Sequence, residues 1–186
     1  MVQKRELKKM ESTKFLHNTV SVRPTGNVVG RIMKASACIA AMYCLSCLAQ
    51  DGGRTAPSAM NTQEIDLYVT MKEGLFFYDA HKNVLQKIHN KDIQALTGKQ
   101  NFVQDASLNI IMVADHSRLK NKDETQYIPA DAAFISENIY LYCASEGLAT
   151  VVRASIDKQA LAKAMGLRPQ QEVVFAQSVG YPKKTK

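Results

Sequence analysis

A chain of 186 residues is long enough to bury a proper core and reads by length as a single domain. Hydrophobic residues at 46% and charged residues at 22% are ordinary for a globular domain and argue against disorder in the bulk of it. The net charge of +7 is concentrated at the two ends, without aromatic interleaving or a nucleic-acid motif, so the ends read as solvated tails and not as a nucleic-acid or membrane-surface footprint.

The front of the chain is poorly patterned. Residues 1–20 are polar and basic (Lys4, Arg5, Lys8, Lys9, Lys14), with one short helix expected over Lys4–Lys14. Pro24, Gly26 and Gly30 punctuate the next stretch, and Ile32–Ala49 is an apolar run broken by Lys34. That run begins late for a secretory signal and is short for a membrane span. A buried helix in a cytoplasmic protein, with no stable span, is the expectation; export is the alternative if Met33 is the true start. Cys44 and Cys47 have the spacing of a redox or zinc half-site, but Cys143 has no second cysteine beside it. In an apolar run, cysteine as a small hydrophobe is the simpler reading.

Asp51-Gly52-Gly53 marks a turn, after which the pattern sharpens. Ile65–Met71 alternates apolar and polar positions with β-branched residues, which predicts a strand. Lys72-Glu73-Gly74 turns into a second extended piece at Leu75–Tyr78, and Val84–Ile88 is a third. Asp92 is placed to cap a short helix through Leu96 that Gly98 closes. Leu108–Ala114 is continuously apolar, which predicts a strand covered on both faces. Pro129 suits the first turn of a helix running to Glu146 and stopped by Gly147; its wide apolar circumference predicts a central, buried helix. Thr150–Val152 is extended, Asp157 caps a helix through Met165 with Gly166 as its stop, and Val173–Val179 is the last strand. Strands and helices mix without a βαβ rhythm, so an α+β sheet with helices packed around it is expected. Met112, Tyr140 and Tyr142 read as packing residues. His17, His81, His89 and His116 lack ligand spacing, so no metal site is expected. Asp115-His116-Ser117 holds triad residue types, but sequence neighbours rarely converge.

One segment carries chemistry. Arg54-Thr55-Ala56-Pro57-Ser58-Ala59-Met60-Asn61-Thr62-Gln63 gathers proline, small residues and two amides just ahead of a strand. Such a loop brings backbone polar groups against a flat, hydrogen-bonding ligand, though an ordinary Asx- or Ser-capped turn explains it as well. The segment resembles the P-S-x-x-N-x-Q loop of the nitroreductase-like FMN enzymes, above all the subgroup related to azoline-oxidising dehydrogenases. Three further segments are similar in the same order: Asp131–Leu141 with Glu146–Arg153, then Asp157–Leu167, then Gln177–Lys183 with its V-G-Y-P-K close. The resemblance covers residues 51–183, leaving 1–50 as a divergent N-terminal region and 51–186 as the FMN-binding part of a single domain.

The resemblance implies a mainly antiparallel, mixed sheet and a homodimer with FMN at its interface. Pro57, Ser58, Ala59, Asn61 and Gln63 would lie along the flavin ring, with Asn61 on its pyrimidine edge, and the backbone of Glu146 and Gly147 would face flavin N5. Family members grip the FMN phosphate with an R-x-S-x-R element. Thr19-Val20-Ser21-Val22-Arg23 keeps Ser21 and Arg23 but has Thr19 for the first arginine, and Lys183 is placed to add charge. The implied chemistry is ping-pong hydride transfer from NAD(P)H to an electron-poor acceptor such as a nitroaromatic or quinone. The flavin supplies the reactive atom and no protein residue is catalytic by itself. The alternative is a fold relative with weakened or lost FMN binding that serves as a binding or structural protein.

Overall fold

β-branched and aromatic residues at alternating positions build a sheet whose inner strands are covered on both sides. A computed structural model describes residues 55–182. The strands are β1 (Ile65–Met71), β2 (Gly74–Asp79), β3 (Val84–His89), β4 (Leu108–Asp115), β5 (Ala149–Arg153) and β6 (Gln171–Gly180), with helices α1 (Ile128–Ser145) and α2 (Lys158–Met165). They form one six-stranded sheet in the order β3-β2-β1-β4-β6-β5. Every pairing among the described residues is antiparallel.

The period of two sorts the side chains between layers. Leu67, Val69 and Met71 of β1 and Leu108, Ile110 and Met112 of β4 face α1, where Ala132, Ile135, Ile139 and Cys143 meet them. Tyr68, Ile111, Val113 and Val173 face the other way, onto Leu161 and Met165 of α2. The continuous apolar run of β4 is thus buried on both faces, as its sequence predicts. At the β1–β2 turn, Gly74 has φ +126°, and a β-carbon there would lie 2.0 Å from the His89 carbonyl oxygen. Only glycine meets both conditions.

β1 has the expected bounds and is buried throughout: Asp66 and Thr70 are enclosed with their apolar neighbours, because β1 lies between β2 and β4 with both faces covered. Two expectations are corrected. The short helix after Asp92 is a single 3-10 turn, Gln94–Thr97, in which the Asp92 carboxylate accepts from Gln94 N–H at 2.9 Å; a local side-chain cap suffices for so short a piece. The second concerns α1, which packs one side on the sheet and is not enclosed. Phe134 and Leu141 on its outer side are 49% and 61% exposed. The Asp157 cap and the Gly166 stop of α2 are as expected. The front helix, the apolar run Ile32–Ala49 and Cys44–Cys47 lie outside the described residues. Among those described, no helix is long and apolar enough to cross a membrane.

Candidate cofactor-binding site

The loop ahead of β1 is bent by its own backbone. Met60, Asn61 and Gln63 have φ of 52°, 54° and 49°, a left-handed region that residues with a side chain enter at some energetic cost. Such a conformation persists only where surrounding contacts over-determine it, and here they come from three directions. Within the loop, Ser58 Oγ accepts from Gln63 N–H at 2.7 Å, and Asn61 N–H donates to Ser58 O at 3.0 Å. From behind, Asp131 in the first turn of α1 accepts from Ala59 N–H at 2.8 Å, and Glu64 Oε2 receives the Thr62 hydroxyl at 2.6 Å. From the flank, Arg118 donates to Gln63 O and to both carboxylate oxygens of Asp66, each at 2.8 Å.

These contacts leave the outward side of the loop open. Pro57, Met60 and Asn61 are exposed, Met60 by 65%, and the two amides are paired through Gln63 Nε2 donating to Asn61 Oδ1 at 3.0 Å. Beside them a cleft of about 570 Å³ runs between the loop, the β2–β3 turn and Arg118, walled by Asn61, Gln63, Leu67, Phe77 and His81. A rigid backbone turn carrying two amide side chains, next to a partly apolar cleft, matches the edge and face of a flat heterocycle.

The carboxyls behind the loop are unusual. Glu64 is 1% and Asp131 4% exposed. Burial first of all, and then the neighbouring Glu64, raises the Asp131 carboxyl above its ordinary value, against the lowering effect of the Ala59 N–H.

Glu146 and Gly147 close α1. Gly147, with φ +65°, donates to Ala144 O, and Leu148 N–H reaches Cys143 O at 2.8 Å, a Schellman cap. A β-carbon at Gly147 would meet nothing within 4 Å among the described residues, which leave this backbone bare. The two predicted ring-contacting segments are not brought together within one chain. The loop docks on the front and middle of α1 through Ala59–Asp131 and Thr55–Asn138. Gly147 lies beyond the far end, about 24 Å along the axis from Asp131 at 1.5 Å per residue. Ser21, Arg23 and Lys183 lie outside the described residues. Sequence reasoning missed Arg118, Glu64 and Asp131 as supports of the loop. The glutamate directly after Gln63 and the aspartate opening the central helix were signals for two of them; nothing local marks Arg118.

The triad residue types do not assemble. Asp115 accepts from the Ser117 hydroxyl at 2.6 Å, but His116 turns to Glu172 at 3.3 Å. No group of three or more acidic, histidine or cysteine side chains among the described residues has the arrangement of a metal site.

A model of the nitroreductase family matches residues 25–181. The chain belongs to the nitroreductase family. The match takes in residues 25–50, which the motifs alone set apart as divergent, while Thr19–Arg23 stays outside it. A nitroreductase-type protein of Ralstonia eutropha JMP134 superposes with a TM-score of 0.74 at 30% identity, covering 100% of this chain and 89% of that one. A chain of the Escherichia coli microcin synthetase McbBCD complex, solved with truncated pro-MccB17 bound, shares the fold with a TM-score of 0.72 at 13% identity, covering 99% and 85%. A nitroreductase-type protein of Desulfovibrio desulfuricans, solved in complex with FMN, shares it with a TM-score of 0.56 at 16% identity, covering 92% and 86%. Among curated proteins, a nitroreductase-type protein of Methanocaldococcus jannaschii is 26% identical over 113 residues, 54% of this chain. The chain spans only 57% of that relative's length. Family and fold are both those of the nitroreductases.

Proposed function

We propose that this protein binds FMN and passes hydride from NAD(P)H to an electron-poor acceptor of the nitroaromatic or quinone type in a ping-pong cycle. The observation that carries the reading is the Pro57–Gln63 loop, with three left-handed residues held from behind and from the flank while its outer side stays open. Strain of that kind is kept where geometry matters. FMN, when bound, supplies a ring nitrogen able to take up and release hydride. The chain's own part is to hold and orient: the loop backbone forms the floor, Asn61 and Gln63 offer the hydrogen bonds for the ring's polar edge, and the adjoining cleft admits the nicotinamide and the acceptor in turn. Ser21, Arg23 and Lys183 are proposed for the phosphate.

The separation of the loop from Gly147 favours a homodimer, in which the partner's Gly147 segment closes the ring that this protomer's loop supports. The exposed Phe134 and Leu141 on α1 supply an apolar surface for that contact. Thr19, standing where the family has an arginine, favours the second reading, a relative with weakened FMN binding and a binding or structural role.

Absorbance of the purified protein, followed by FMN titration and an NAD(P)H oxidation assay with a nitroaromatic, tests this. A yellow protein, or one that takes up FMN and oxidises NAD(P)H only with acceptor present, is the expected result. A colourless protein that ignores added FMN supports the second reading and ends the first.

A further inference from the structure

Behind the loop, two carboxyls are buried with no cation beside them among the described residues. Glu64 is 1% exposed and Asp131 4%, and among the described residues no basic side chain pairs with either. Charged groups on the elements packed around them are engaged elsewhere. Arg118 is bonded to Asp66 and to Gln63 O, Asp115 is held by Arg168, and Glu124 ahead of α1 accepts from Lys120 N–H at 2.8 Å. Glu64 Oε2 is satisfied by the Thr62 hydroxyl, and Asp131 Oδ2 by Ala59 N–H. Glu64 Oε1, however, is buried with no donor; both carboxyls grip the same Ala59–Thr62 turn, and after burial the neighbouring Glu64 helps to hold the Asp131 carboxyl above its ordinary value. Two carboxylates cannot bond to each other without a proton between them, and two like charges this deep repel strongly.

We propose that Glu64 and Asp131 are positioning residues that hold one shared proton and thereby fix the Ala59–Thr62 turn against which the flavin rests. This deepens the flavin reading and rests on it. With the proton in place, each carboxyl keeps its remaining oxygen for the loop, one for Ala59 N–H and one for Thr62. Loss of the proton to solvent leaves two negative charges in contact, and the turn attached to both is pushed apart. The sign follows from the raised Asp131: the folded protein binds more protons than the unfolded chain between the ordinary and the raised values. The stabilisation is therefore present at low pH and lost as pH rises through the raised value.

The test is FMN affinity by quenching of flavin fluorescence from about pH 5 to about pH 9, with thermal midpoints of the flavin-free protein over the same range. In the wild type, affinity should fall by up to about tenfold per pH unit beyond the pair's midpoint, and the thermal midpoint should fall with it. Glu64→Gln keeps an acceptor for Thr62 and gives Asp131 a permanent N–H donor, so it should bind FMN without that fall. The comparison also cancels the ionisation of the FMN phosphate. Asp131→Asn, which keeps an acceptor for Ala59, is the second variant and should show the same flattening. Parallel pH profiles in wild type and variants, with FMN bound, overturn the shared proton while leaving the flavin reading intact. A wild type that binds no FMN at any pH overturns the flavin reading and the positioning role with it.

Discussion

Gly98→Ala is expected to damage the protein although Gly98 is extended, with φ 177°, and carries no backbone strain. A β-carbon there would lie 2.0 Å from Arg153 Nη1. The guanidinium ends a flexible side chain, but it has nowhere to go. Arg153 is 6% exposed and donates to Thr97 O, to Asn109 Oδ1 at 3.0 Å and to Ser178 Oγ at 2.8 Å, with the Phe102 ring 5.8 Å away. No carboxylate accompanies it among the described residues, and burial lowers its pKa to about 10. Restoring an ordinary contact requires the guanidinium to move by more than an ångström, which breaks one or two charge-assisted bonds worth about 1.5–3 kcal/mol each. The expected loss is roughly 2–5 kcal/mol, or a fall in Tm on the order of 5–15 °C for a chain of this size. Urea unfolding of the wild type, Gly98→Ala, Arg153→Met and the double variant forms the assay. Gly98→Ala should be far milder in the Arg153→Met background, with a coupling of about 2 kcal/mol or more. A Gly98→Ala protein within about 0.5 kcal/mol of wild type would refute the steric reasoning.

Other consequences can be measured alongside. Gly147→Ala should lose only about 1 kcal/mol of stability, since its β-carbon meets nothing among the described residues, yet weaken FMN binding about tenfold or more if the partner's ring lies against that backbone. Equal FMN affinity in the two proteins, by fluorescence titration, would count against that placement. Burial pushes the Cys143 thiol up to about 11, so mass spectrometry after alkylation at about pH 8 should find Cys143 unmodified in the folded protein and modified after denaturation. Ready alkylation in the native state would contradict its place in the core. Leu141→Glu and Phe134→Glu should shift the protein toward monomer in analytical ultracentrifugation, with FMN affinity falling in parallel. A monomer that keeps full affinity would separate dimerisation from the site.

Much of this was legible from residue patterns, for identifiable reasons. β4 and α2 declare themselves, one by an unbroken apolar run and the other by its Asp157 cap and Gly166 stop, both of which act locally. The burial of β1 and α1, by contrast, is decided by distant neighbours. The polar Asp66 and Thr70 mimic a solvated face until β2 and β4 enclose them, and Asp66 is tolerable there because Arg118, far along the chain, reaches both its oxygens. The apolar outer side of α1 reads as core although a single chain leaves Phe134 and Leu141 open. The loop itself was found by its P-S-x-x-N-x-Q pattern. What holds it was not, because Arg118 and Asp131 act across more than fifty residues and no local spacing encodes that contact.

The most direct measurement is a crystal structure of the protein grown with FMN. The account predicts flavin density with the ring face on the Pro57–Gln63 backbone of one protomer, the Asn61 amide at its pyrimidine edge, and the Gly147 segment of the partner subunit closing the opposite side. A ring bound elsewhere, or a dimer that leaves Gly147 remote from the ring, would contradict it.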